Sequence, residues 1–146
     1  EDYTARSNLM WDATMAENRI IKMGKKCDFE CHNMEHQLGA YTDCNHGQGL
    51  AVIHPAYYRY ILPYAPEKFT RFAQEVFGRR TAQEGLQALT EFVQACGLPT
   101  RLSQLASKVE ITPKLLRRVA DTCNVIRTGP CELSRDEIYE ILCECL

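Results

Sequence analysis

At 146 residues, 45% of them hydrophobic, the chain is long enough for one compact domain with an apolar core. A formal net charge of -2 provides no basic footprint, so nucleic acid is not an expected partner. The longest apolar stretch, residues 50–65, is interrupted by His54, Pro55 and Arg59, so neither a membrane span nor a membrane partner is expected.

Apolar/polar alternation never persists, whereas helical spacing recurs along the whole chain, which predicts an all-α fold of about seven or eight helices. Leu9, Ala13, Ala16 and Ile20 mark the inward face of a first helix, expected to end near Gly24. A second helix runs through Phe29 to Tyr41. A third starts around His46 and Gly47, carries the apolar run Leu50 to Ile53, and is expected to kink or end at Pro55. Pro66 opens a fourth, with Phe69, Phe72, Ala73, Val76 and Phe77 down one stripe and Gly78 closing it. Thr81 and Glu84 have the spacing of a capping box, followed by Leu86, Leu89, Val93 and Cys96 on the inward face. Leu102 and Leu105 suit a short helical turn. Thr112 and Pro113 cap and open the next helix, with Leu115, Leu116, Val119 and Cys123 inward. Ser134 and Glu137 repeat the capping box before Ile138, Ile141, Leu142 and Cys145.

Eight cysteines would suffice for four disulfides, but Cys96, Cys123 and Cys145 fall on these expected buried faces. The N-terminus lacks a secretory pattern, so reduced thiols in a cytoplasmic protein are expected. With no internal repeat or low-complexity linker, residues 1–146 are assigned to one domain.

The run "CHNMEHQLGAYTDCNHGQGLA", residues 31–51, concentrates the chemistry. His32 and His36 stand four apart and therefore project from one helix face. Asp43 or Asn45 suits a helix cap, and a chain reversing there returns His46 toward His32. Imidazole serves Zn, Fe, Cu and Ni alike, so ligand type alone does not name the metal. An i, i+4 histidine pair also occurs by chance on solvated faces. A closed Cys2His2 zinc site from Cys27, Cys31, His32 and His36 is disfavoured, because four ligands within ten residues of one helix do not readily surround an ion. Gly47 and Gly49 permit a close approach of a cofactor ring or a neighbouring element, or mark a plain loop-to-helix junction. Cys31 and Cys44, beside the histidines, are read as ordinary small side chains, although a nearby thiolate would favour softer ions.

"ARSNLMWDATMAENRI" followed by "CHNMEHQLGAYTDCNHGQGLAVIHPAYYRY" closely resembles the C-terminal helical half of iron-containing (group III) alcohol dehydrogenases, nearest to their butanol dehydrogenase branch. The likeness extends to "GLPTRLSQL" and "ITPKLLRRVADTC". It implies the C-terminal domain of a dehydroquinate synthase-like fold. His32 and His46 match two metal-binding histidines of the family. His36 matches a histidine beside the metal and nicotinamide, assigned to proton handling or substrate orientation. The implied cofactors are Fe2+ or Zn2+ and NADH or NADPH, and the implied substrates are small primary alcohols and aldehydes.

The family also draws an Asp and a His, spaced D-x3-H, from a helix preceding the matched region. No suitable pair lies upstream of His32, and no glycine-rich phosphate loop occurs anywhere. The resemblance therefore implies that the chain is a C-terminal part, with its own N-terminal cofactor-binding domain as partner in a homo-oligomeric enzyme. Alone, it is expected to be inactive and to bind metal weakly. A non-catalytic helical module and a self-contained structural zinc domain are the other readings.

Overall fold

Short capped helices set the architecture. The structure, a computed structural model, describes residues 2–146, which form seven α-helices and three 3-10 turns, with no strand among the described residues. The α-helices are α1 (Tyr3–Glu17), α2 (Glu30–Thr42), α3 (His46–Ile61), α4 (Pro66–Phe77), α5 (Ala82–Ala95), α6 (Pro113–Thr122) and α7 (Arg135–Glu144).

Expected caps form where hydrogen-bonding chemistry dictates them. Asn45 accepts from the Gln48 amide and starts α3. Thr81 with Glu84, and Ser134 with Glu137, make reciprocal capping boxes on α5 and α7. Thr112 caps α6 ahead of Pro113, and Gly78 closes α4 at φ 62°, a left-handed position that glycine adopts without steric cost. Asp43 stops α2 with φ 54°, and residues 43–45 turn the chain so that α3 packs back on α2.

Four expectations need correction. The Leu9–Ala13–Ala16–Ile20 stripe is not inward: α1 buries no residue, and Leu9 is 69% exposed. α1 separates apolar from polar residues only weakly, and it packs chiefly on the 3-10 turn Ile20–Lys22, meeting no other helix extensively. Nor does that helix reach Gly24; it stops at Glu17, before Arg19 adopts a left-handed φ of 72°. Of the two outcomes expected at Pro55, the helix end does not occur: α3 continues to Ile61 with Pro55 inside it. Losing the Pro55 N–H costs roughly 3 kcal/mol in a helix interior. Here the flanking turns bury Val52, Ile53, Ala56 and Tyr57 and pack on α5 and α7, which offsets that cost. Finally, Val76 and Cys96 are exposed: the inward face of α4 is carried by Phe69 and Ala73, and Cys96 lies just past the last turn of α5.

The core gathers Met34 and Leu38 of α2, Val52, Ile53, Tyr57 and Ile61 of α3, Leu116 and Val119 of α6, and Ile138, Ile141 and Leu142 of α7. Phe69 of α4, Leu86 of α5, and Leu102, Leu105, Cys123 and Cys145 extend it. All eight cysteines are free thiols. No described helix is long and apolar enough to cross a membrane.

Candidate metal centre

The site lies where α2 faces the start of α3. His32 and His36, one turn apart on α2, have ring centroids 5.9 Å apart. Asn45 begins α3 so that the ring of His46 stands 5.6 Å from His32 and 5.1 Å from His36. Two imidazoles sharing one tetrahedral ion at ordinary metal–nitrogen distances have centroids about 5 Å apart, so this spacing suits a common cation. The rings of the three histidines expected from the sequence are thus neighbours, but the ligand atoms of His32 do not join the group that Glu35, His36 and His46 form.

Beneath them lies a residue that the sequence reading did not single out. Glu35 is only 2% exposed, and its carboxylate accepts a hydrogen bond from Nδ1–H of His46. That bond fixes the tautomer and leaves Nε2 of His46 as the free ligand nitrogen, the carboxylate–histidine arrangement that orients metal ligands. Ligand atoms of Glu35, His36 and His46 lie within 4.8 Å of one another, a spacing that would also suit Glu35 as a direct ligand. We assign Glu35 the orienting role instead, because its oxygen is engaged by His46 and its side chain is buried beneath the exposed rings of His36 and His46.

The glycines serve this carboxylate. A methyl group on Gly49 would sit 2.8 Å from both Cγ and Oε1 of Glu35, and one on Gly39 3.5 Å from Oε1. The body approaching Gly49 on its side-chain side is therefore a neighbouring element, the Glu35 carboxylate of α2. Gly47 meets only the Asn45 side chain, at 3.6 Å. A glycine three residues past a histidine, at Gly39 and again at Gly49, was the one signal for the Glu35 niche available in the sequence.

Further contacts hold the α2 end of the site. Asp28 accepts from the Glu30 amide at 2.9 Å and from the Tyr57 hydroxyl, tying the start of α2 to α3. Phe29 supports His32 with centroids 4.8 Å apart, and Lys22 lies 3.6 Å over the Phe29 ring. Burial, then the neighbouring His54, hold the pKa of His32 below its usual value, which favours the neutral ligand form. Cys31 is buried, with its thiol pushed up chiefly by that burial, and neither Cys31 nor Cys44 joins the cluster. No Cys2His2 site forms among the described residues. A cavity of about 640 Å³ opens beside Asp28 and Thr128, but no histidine lines it.

All 146 residues match the family model described as "Fe-containing alcohol dehydrogenase family, C-terminal". The chain belongs to the iron-containing alcohol dehydrogenase family. NADH-dependent butanol dehydrogenase A of Clostridium acetobutylicum is 34% identical over 97% of this chain and 38% of its own length. The NADPH-dependent aldehyde reductase of Escherichia coli is 28% identical over 83% of this chain and 33% of its own length. The crystal structure of NADH-dependent butanol dehydrogenase A from Thermotoga maritima superposes with a TM-score of 0.87 at 29% identity, covering 99% of this chain and 39% of that one. The chain therefore spans less than two fifths of these relatives, and its helices are those of an iron-containing alcohol dehydrogenase C-terminal region.

Proposed function

We propose that this chain is the metal-binding C-terminal part of an enzyme that interconverts primary, butanol-like alcohols and their aldehydes by hydride transfer with NADH or NADPH. The convergence of His32, His36 and His46 over the buried Glu35 carries the reading. His32 and His46 hold the metal through ring nitrogens, and Glu35 keeps His46 in the correct tautomer. His36, exposed at the rim, relays the hydroxyl proton toward solvent. A bound divalent ion, iron or zinc, supplies Lewis-acid stabilisation of the alkoxide oxygen. The remaining ligands and the nucleotide site belong to an N-terminal domain, so the 146 residues alone are inactive.

Alanine at His32 or His46 in the full-length enzyme tests this. Metal content and alcohol oxidation should fall together, each by at least about tenfold, since a direct ligand is lost. Retained metal with retained activity in either variant would refute the ligand assignment. His36→Ala should instead keep the metal while lowering kcat by about a hundredfold, the scale of general acid–base assistance.

A further inference from the structure

The proposed function gives the metal to His32 and His46, yet the ligand atoms that converge within this chain are a different set. One ligand atom each of Glu35, His36 and His46 lies within 4.8 Å of the other two, and His32 does not join them. His36 and His46 are exposed, and Glu35 is buried beneath them. One carboxylate with two imidazoles is the donor chemistry that divalent zinc, nickel and ferrous iron favour. The buried thiol of Cys31 and that of Cys44 stand outside the set, so nothing in it selects a softer ion.

The two oxygens of Glu35 add an independent observation. Oε2 meets Nδ1 of His46, so that nitrogen of the ring, and not Nε2, faces the carboxylate. Oε1 lies over Gly49 and, among the described residues, accepts no hydrogen bond, although it is not sealed from solvent. Polar atoms of buried side chains are ordinarily satisfied, and a carboxylate with spare acceptor capacity next to two imidazoles is an anionic arm available to a cation. Two ligands on one tetrahedral ion lie about 3.4 Å apart. The exposed rings of His36 and His46 reach that spacing by rotating about their side-chain bonds while the buried carboxylate stays in place.

We infer that this chain, without ligands from an upstream domain, holds a divalent cation on Glu35, His36 and Nδ1 of His46, with His32 left out. The ion takes the place of the Nδ1 proton, which re-forms on Nε2 by exchange with water. The ring stays neutral and no net proton is released. Three protein ligands with an open fourth position hold an ion better than the two imidazoles of His32 and His46 alone, and the carboxylate supplies a charge that imidazoles lack. Both arrangements need His46, so they exclude each other. Ligands from an upstream domain would draw the ion to Nε2 and return Glu35 to its orienting role. The inference concerns this chain's own residues and stands or falls independently of the dehydrogenase reading.

The experiment titrates zinc into the 146-residue chain against a chromophoric chelator, for the unsubstituted protein and for His32→Ala, His36→Ala and His46→Ala. Far-ultraviolet circular dichroism checks that each variant keeps its helices. The expected result is one ion per chain, with affinity lowered at least about tenfold in His36→Ala and His46→Ala but less than about twofold in His32→Ala. Long-range proton–nitrogen correlation spectra of the zinc-loaded chain should show His46 metal-bound at Nδ1 and protonated at Nε2. A tenfold loss in His32→Ala overturns the inference, as does unchanged affinity in His36→Ala. So does zinc on Nε2 of His46, the absence of saturable binding, or binding that persists undiminished in the urea-unfolded chain. Should His36→Ala not fold, His36→Gln carries the same comparison.

Discussion

Glu35 supports His46 from a position eleven residues away in the chain, and its value to the site depends on three neighbours at once: the His46 ring, Gly39 and Gly49. Replacing the carboxylate by its isosteric amide, Glu35→Gln, keeps the volume but removes the anion that polarises Nδ1–H. Metal affinity of the full-length enzyme, measured by chelator competition, should fall about 10- to 100-fold while far-ultraviolet circular dichroism stays unchanged. Gly49→Ala attacks the same contact from the other side. Its methyl group would lie 2.8 Å from Glu35, so either the carboxylate or α3 must shift. Overpacking of this kind should lower unfolding stability by about 1–3 kcal/mol in urea titrations, and metal affinity should drop with it. The histidines were legible in the sequence because their spacing speaks of one helix face and a return. Glu35 was not, because a glutamate beside a histidine looks like a solvated charge until the packing of α2 on α3 turns it inward.

The start of α2 carries a second buried carboxylate, Glu30, held by the Ile126 amide and approached by the Cys123 thiol. Burial raises its pKa, the Ile126 bond opposes that rise, and nearby Asp28 adds to it. A carboxyl group with a raised folded-state pKa binds more protons folded than unfolded in the interval above the ordinary value. Its contribution to stability is therefore complete at acid pH and declines as pH climbs through that interval. Glu30→Gln retains an oxygen to accept from Ile126 but cannot ionise. Urea unfolding of the two proteins from pH 4 to pH 8 should show the variant gaining stability relative to the unsubstituted chain as pH rises. Helices were readable where their ends carry their own chemistry, as at Thr81, Thr112 and Ser134. They were misread where the outcome depends on what lies alongside. The apolar stripe of α1 announces a helix without naming its partner, and Pro55 is tolerated only because its flanking turns are packed. Hydrogen exchange checks α1 directly. Its amides should exchange far faster than those of α3 in the 146-residue chain, since Leu9, Met10 and Trp11 are all at least 66% exposed. Trp11→Ser should change stability by no more than about 0.5 kcal/mol, the range for surface sites.

On the scale of the whole molecule, the core and the histidine cluster are separate. None of the four histidines belongs to the buried apolar cluster, which draws instead on α2 through α7. Folding of the chain is therefore expected not to require a metal, unlike that of a small zinc module whose ligands are its core. Closed metal sites in proteins take four protein ligands, and catalytic ones at least three. On the proposed assignment this chain offers only His32 and His46 as histidine ligands, with His36 at their side, so weak ion binding is the expected outcome. An ion present near its dissociation constant stabilises the native state by only about 0.4 kcal/mol. For a domain of this size that corresponds to a shift in Tm of roughly 1–2 °C. Thermal unfolding of the 146-residue chain in excess EDTA and with zinc near its dissociation constant should thus give nearly coincident curves with the same helical signal before the transition. Loss of helicity on chelation would instead place the metal at the centre of the fold and return the chain to the class of structural zinc domains.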